Sequence, residues 1–83
     1  MTDDTRPPHR FLTVEQTADE LNVGVPLIRA IIKSGDLRGI QVGSRGVWRI
    51  GRDDIETYIA QAYERTAEKI ARGEFSEADS AET

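Results

Sequence analysis

The segment Val25–Leu37, VPLIRAIIKSGDL, predicts a short helix with a marked end, and it constrains the fold more than any other part of the chain. Pro26 suits the first helical position, because its missing N–H has no partner there. Gly35 suits the left-handed conformation that ends a helix, and Leu37 is placed to fold back onto the last turn. At about 100° per residue, one side is aliphatic and predicted to be buried, and the other is small or cationic. The aliphatic side carries Leu27, Ile28, Ile31 and Ile32, and the opposite side carries Pro26, Arg29, Ala30 and Lys33.

A second helix is predicted just before this segment. Thr13 and Gln16 have the spacing of a capping box, in which each side chain binds the other residue's backbone N–H. The helix carries Val14, Ala18 and Leu21 on its inner side and ends near Asn22. In the turn that follows, Gly24 is free to take a positive φ. Helix, short glycine-bearing turn and helix together have helix-turn-helix spacing.

After Leu37 the apolar pattern changes to that of strands. Ile40–Val42 and Val47–Ile50 are predicted strands, joined by a hairpin tip at residues 43–46. An isolated hairpin is marginal in water, so this one should lie against the helices. Trp48 is the residue expected to pack there, in a core role rather than a base-stacking one.

A third helix is predicted from about Asp53, which we expect to be its cap, to about Gly73. Asp53 and Asp54 both suit the positive end of a helix, and this explains them better than a catalytic or metal-binding pair. The apolar stripe comprises Ile55, Tyr58, Ile59, Ala62, Tyr63, Thr66 and Ile70. Its first two turns suffice to close a small core. The part over Ala62–Ile70 either projects into solvent or packs on something else, such as a second copy or a protein partner.

The ends of the chain differ from its middle. Residues 1–10 are polar with two adjacent prolines and predict a disordered arm, residues 11–72 predict one domain, and residues 73–83 predict a disordered acidic tail. The formal net charge is −4, yet residues 29–52 hold six bases against one acid, a net +5. Local potential decides binding to a polyanion. The tail should therefore weaken non-specific binding without abolishing a specific contact.

Several function classes are disfavoured. Cysteine is absent, the only histidine, His9, lies in the predicted arm, and no serine sits in a G-x-S-x-G context. No phosphate-binding loop is present. We therefore expect no enzyme, cofactor, metal site or small-molecule ligand. No apolar run reaches the ~20 residues of a membrane span, and the N-terminus lacks a signal peptide's apolar segment, so we expect a soluble, cytoplasmic protein with no membrane partner.

The basic residues suggest a nucleic-acid site. Arg29 and Lys33 are four apart and so neighbours on one helix face, where one can reach a base edge and the other a phosphate. Arg45 at the hairpin tip suits contact with the DNA backbone or minor groove. Thr13 and Gln16 at a helix start suit phosphate contacts. Arg52 is a weaker backbone candidate.

From Phe11 to about Ile59 the chain resembles the excisionase-type, MerR-like winged-helix family. The resemblance lies in FLTVEQTADELNV, IRAIIKSGDL, IQVGSRGVWRI and GRDDIETYI. It implies a mainly α winged helix-turn-helix, three helices plus a two-stranded wing, that binds double-stranded DNA with its second helix in the major groove. Such proteins direct excision by site-specific recombinases or regulate transcription. They are encoded by bacteria or phages and associate with the nucleoid.

Carried onto this chain, the resemblance implies helix contacts at Pro26, Leu27, Arg29 and Lys33 and wing contacts at Ser44, Arg45 and Arg49. One departure stands out, because the family usually opens this helix with serine or threonine, whereas Val25–Leu27 has no side-chain donor. Direct readout of the bases would then depend on few contacts, one arginine plus an apolar contact with a thymine methyl. The alternative is a protein-binding adaptor that uses the helix beyond Ala62 and the acidic tail.

Overall fold

The computed structural model describes residues 10–74, which form three helices and a three-stranded antiparallel sheet. The predicted arm and tail lie almost wholly outside the described residues. In chain order the elements are β1 (Phe11–Leu12), α1 (Val14–Leu21), α2 (Val25–Ser34), β2 (Ile40–Val42), β3 (Val47–Gly51) and α3 (Arg52–Ala71). The mainly helical class, the helix-turn-helix order and the hairpin are as predicted.

Strand β1 was not predicted, and it makes the sheet three-stranded in the order β1-β3-β2. Phe11 pairs with Gly51 and Leu12 with Ile50. The Arg52 N–H extends the pairing by donating to the Arg10 carbonyl at 2.8 Å. Two residues are too few to show a strand periodicity, which is why the sequence pattern missed β1. The strand ties the base of the hairpin to the entry of α1, so the hairpin is not left isolated.

The core lies where α1, α2, the first turns of α3 and the inner face of the sheet meet. Ile28, Leu37 and Ile50 are fully buried there, and Trp48 packs against them half-buried, in the core role predicted for it. The other buried hydrophobic residues are Leu12, Val14, Ala18 and Ile55. Thr17 is also fully buried, and its hydroxyl donates to the Thr13 carbonyl at 2.9 Å, which satisfies the polar group.

The turn between α1 and α2 does not use the conformational freedom of Gly24. Gly24 does not take a positive φ; its φ is −83°, and it is the N-cap of α2. Asn22 is instead left-handed, with a φ of 58°, and ends α1. Asparagine tolerates this conformation better than most residues, so the chain takes its positive φ at Asn22, two residues before Gly24. Gly24 then stays extended, and its carbonyl accepts from Leu27 and Ile28.

Helix α2 ends as its sequence predicts, at Gly35 with a φ of 91°. The Leu37 N–H donates to the Ile31 carbonyl at 3.1 Å, so the chain folds back onto the last turn. At its start, Pro26 is the second helical residue rather than the first. Leu27 was predicted to be buried with the other aliphatic residues, and this is wrong: it is 40% exposed. The buried side is centred on Ile28, which leaves Leu27 on the flank.

Helix α3 begins one residue before the predicted cap. Gly51 is the N-cap, no side chain caps the helix, and Asp53 was wrongly predicted to do so. Strand β3 runs directly into the helix, so Asp53 and Asp54 lie in its first turn, where their charge still favours the positive end. Beyond Ala62 every helical residue is exposed, with Tyr63 at 75% and Ile70 at 53%. This half of α3 projects from the domain.

We expect Gly35→Ala to lower the free energy of unfolding by roughly 1–2 kcal/mol, the cost of a left-handed alanine. A Cβ at Gly35 would meet no atom within 4 Å, so the loss would come from the backbone conformation alone. Urea denaturation measures it. Gly35→Asn is the matched control and should lose less, because asparagine adopts this conformation more readily. Equal losses for the two variants would contradict the explanation.

Candidate nucleic-acid interface

An open depression of about 400 Å³ lies between the start of α1, the middle of α2 and strand β3. It brings together Thr13, Arg29 and Arg49, three of the residues predicted from sequence to contact DNA. The complete lining is Thr13, Val14, Glu15, Arg29, Gly46, Val47, Trp48 and Arg49. Residues far apart in sequence thus form one concave surface that has two arginines in its lining.

A smaller hollow of about 210 Å³ continues this surface along α2. It shares Val14, Arg29 and Trp48 with the larger depression and adds Ile32 and Lys33. Arg29 and Lys33 are both exposed and, being four residues apart, lie on one face of α2. The basic outer stripe predicted for this helix therefore borders the depression rather than standing apart from it. Trp48, which is half-buried, lines both hollows.

The start of α1 is held by the predicted capping box. The Thr13 hydroxyl oxygen accepts from the Gln16 backbone N–H at 3.0 Å, and the Gln16 side-chain oxygen accepts from the Thr13 N–H at 2.9 Å. These two bonds use acceptor atoms only. The Thr13 O–H and the Gln16 amide N–H groups are not consumed by the cap, and donors of this kind suit a phosphate.

Pro26 and Leu27 occupy the first turn of α2 and are both exposed. No side chain caps this helix, since its N-cap is Gly24. The family-implied contacts Pro26, Leu27, Arg29 and Lys33 therefore all reach the surface, but only the last two carry a hydrogen-bond donor.

Ser44 and Arg45 lie in the hairpin tip and are exposed, outside the lining of both hollows. The tip is bounded by Gly43 and Gly46, with φ of 80° and 68°, conformations that glycine adopts without strain. The Gly46 N–H donates to the Gly43 carbonyl at 3.1 Å, and the Gln41 amide donates to the Gly46 carbonyl at 3.2 Å. These bonds define the tip and so set where Arg45 stands.

Arg49 is half-buried, and its Nη1 donates to the Trp48 carbonyl at 2.7 Å. This bond holds the guanidinium close to the strand. By register, Arg49 pairs with Ile40 and Val47 with Val42, so the four share the outer face of the sheet. Ile40, Val42 and Val47 are each 40–48% exposed on this face. Arg49 is therefore the one cation among apolar neighbours there.

Arg52 lies apart from the other predicted contacts. It begins α3, its side chain is about one third exposed, and its Nη1 lies 4.0 Å from Glu20 Oε1 of α1. It lines neither hollow. The structure places this guanidinium against the last turn of α1, where its neighbour is a carboxylate of the same chain.

Glu15 and Val47 line the depression, and sequence reasoning did not select either as a site residue. Glu15 is exposed in the first turn of α1, beside the two arginines in the lining. Its carboxylate would repel a phosphate but can accept a hydrogen bond from a base-edge donor such as the cytosine amino group. Only the tertiary pairing of α1 with β3 brings it to the site, so its local sequence carries no signal for this role.

Within residues 10–74, no group of three histidine, cysteine, aspartate or glutamate residues is arranged to hold a metal ion. None of the helices in the described part of the chain is long and apolar enough to cross a membrane.

Comparison with known families identifies the fold. A family model described as a helix-turn-helix domain, of the excisionase-like family, matches residues 11–63. The match covers more than half of the chain and runs from β1 through the first turns of α3. The chain therefore belongs to this helix-turn-helix family, as the resemblance predicted. No curated protein matches the chain in sequence.

We expect Thr13→Ala to lower the free energy of unfolding by about 1 kcal/mol, because α1 would lose its N-terminal cap. Thr13→Ser retains the hydroxyl and is the matched control, expected to stay within a few tenths of a kcal/mol. Urea denaturation followed by far-ultraviolet circular dichroism measures both. A serine variant as unstable as the alanine variant would show that the methyl packing of Thr13, not its cap, holds the helix start.

Proposed function

We propose that this protein is a sequence-specific, double-stranded DNA-binding protein of winged helix-turn-helix form. Its domain spans residues 11–72. The observation that carries the proposal is the depression in which Arg29, Arg49 and the start of α1 converge, in a chain that belongs to a helix-turn-helix family. An interface of this kind needs cations for phosphate and an exposed helix face for base edges. Arg29 and Arg49 line the depression, and Arg29 and Lys33 are exposed on one face of α2.

Helix α2 is the element proposed to enter the major groove. It is ten residues long, about 15 Å, and a helix of ordinary diameter fits a groove about 12 Å wide. Its inner side is fixed by Ile28, while Arg29 and Lys33 stand exposed on the outer side. Arg29 borders both hollows, so it is the residue proposed to reach a guanine edge or the nearest phosphate.

The hairpin is proposed to act as the wing. Arg45 and Ser44 at its tip would meet the backbone or the minor groove beside the site occupied by α2, and Arg49 nearer its base would hold an intervening phosphate. Thr13 and Gln16 would donate to a phosphate at the start of α1. Arg52, which faces Glu20, is the weakest of the proposed contacts.

The charge distribution supports this proposal despite the net charge of −4. Five of the six bases in residues 29–52 are on α2, on the hairpin or on the segment that joins them, and Arg52 is the sixth. A polyanion approaching that side experiences the local positive potential. As for cellular role, we propose either a small transcriptional regulator or an accessory factor that directs a site-specific recombinase.

We expect Arg29→Ala to reduce the slope of log affinity against log salt concentration by about one, because one phosphate-neutralising charge is lost. Fluorescence anisotropy of a labelled duplex, titrated at several salt concentrations, measures this. Lys69→Ala is the matched control. It removes the same formal charge from the last turn of α3, and its slope should equal that of the unsubstituted protein. Equal slope changes for both variants would contradict the proposed placement of α2.

The second candidate function is a protein-binding adaptor, and the exposure of Tyr63 and Ile70 on the projecting half of α3 favours it. Surface of this kind can seat a second copy or another protein. The two functions are compatible, since the proposed DNA contacts lie on α1, α2, the hairpin and the first residue of α3, whereas this surface lies beyond Ala62.

We expect the double variant Tyr63→Ser, Ile70→Ser to keep its DNA affinity and to unfold within about 0.5 kcal/mol of the unsubstituted chain, because both side chains are largely exposed. Anisotropy and urea denaturation measure the two quantities, and light scattering reports any change in oligomeric state. A tenfold loss of DNA affinity with the fold intact would show that binding requires assembly through α3.

A further inference from the structure

The first turn of α2 is apolar where DNA-reading helices usually carry hydrogen-bonding groups. From the N-cap Gly24 through Ile28, no side chain has a donor or acceptor. Pro26, Leu27 and Ala30 are nevertheless exposed. Leu27, at 40%, is the only large hydrophobic residue of α2 that is exposed. The adjacent Ile28 is fully buried, so the exposed apolar side chain lies at the flank of the core-facing side of the helix.

The polar side chains of α2 do not compensate. Ser34 is exposed, but its hydroxyl donates to the Ile31 carbonyl at 3.0 Å and accepts from the Asp36 N–H at 3.3 Å. Its only donor is therefore used at the end of the helix. Arg29 and Lys33 remain, and each is also placed to neutralise phosphate. Around the helix, Pro26 and Ala30 lie between Leu27 and the face that carries Arg29 and Lys33, so the apolar surface adjoins the basic one, although it lines neither hollow.

An apolar side chain in the major groove discriminates between bases in two ways. It gains free energy against the 5-methyl group of thymine, the one apolar group on a base edge there. Against a base-edge donor or acceptor it removes water without replacing the hydrogen bond, which is unfavourable. A helix surface without donors therefore favours base pairs that present a methyl group.

We propose that α2 selects its DNA site through pyrimidine 5-methyl groups, with Leu27 as the main contact and Pro26 and Ala30 beside it. The inference rests on the proposed function and adds what α2 recognises. Arg29 and Lys33 then supply affinity and orientation, while the choice of sequence depends on the methyl groups.

The test uses the full chain and a duplex enriched by it from a random-sequence library. Each thymine of the enriched site is replaced in turn by deoxyuridine, which removes the methyl and keeps the hydrogen-bonding groups. We expect at least one replacement to weaken binding about fourfold, the fold-change for burying one methyl-sized group. Leu27→Ala should bring the thymine-to-uracil affinity ratio at that position to about one. The ratio is insensitive to the folded fraction, because both duplexes meet the same protein sample.

Arg45→Ala is the control. It should weaken binding to both duplexes by the same factor and leave their ratio unchanged. Saturable, specific binding with equal affinity for thymine and uracil at every position would overturn the inference while leaving the proposed function standing. A ratio that persists in Leu27→Ala would overturn the assignment to Leu27. Absence of binding to any duplex, even at low salt, would instead overturn the proposed function and the inference with it.

Discussion

The burial of Ile28, Leu37 and Ile50 in one cluster is the constraint on which the rest of the structure depends. Ile28 belongs to α2, Leu37 to the segment that folds back after it, and Ile50 to the central strand. Together they fix the rotation of α2 about its axis and its position against the sheet. Ile31 and Ile32 of α2 are partly buried against the same cluster and reinforce this position. The outward direction of Arg29 and Lys33 follows from that packing.

Local backbone devices then position the rest of the surface. The capping box fixes the start of α1, the left-handed Gly35 turns the chain toward the hairpin, and β1 pairs with the base of β3. These features bring Thr13, Arg29 and Arg49 to one depression although they are distant in sequence. The same arrangement leaves apolar side chains exposed in three places: Leu27 on α2, Tyr63 with Ile70 on α3, and Ile40, Val42 and Val47 on the outer face of the hairpin. A function is proposed for two of them, DNA contact for the surface on α2 and protein contact for the surface on α3.

The sequence predicted what local patterns determine. Capping at Thr13, the helix end at Gly35 and the hairpin between residues 42 and 47 depend on neighbours along the chain, and the structure has all three. The pattern failed where tertiary packing decides, since β1 exists only through β3, and Leu27 is exposed because Ile28 centres the buried side. Between α1 and α2 it is Asn22, not Gly24, that takes the positive φ, and at the start of α3 it is Gly51, not Asp53, that is the N-cap. Glu15 joined the site through a long-range contact that periodicity does not encode.

Helices α1 and α2 and the hairpin are proposed to form one DNA-binding face. Backbone amide NMR spectra of the full chain, recorded while a short DNA duplex is added, would show which residues contact the duplex. We expect resonance shifts to concentrate at the start of α1, along α2 and in the hairpin, with α3 beyond Ala62 unchanged. Shifts confined to that distal half of α3, or no shifts at low salt, would contradict the proposal.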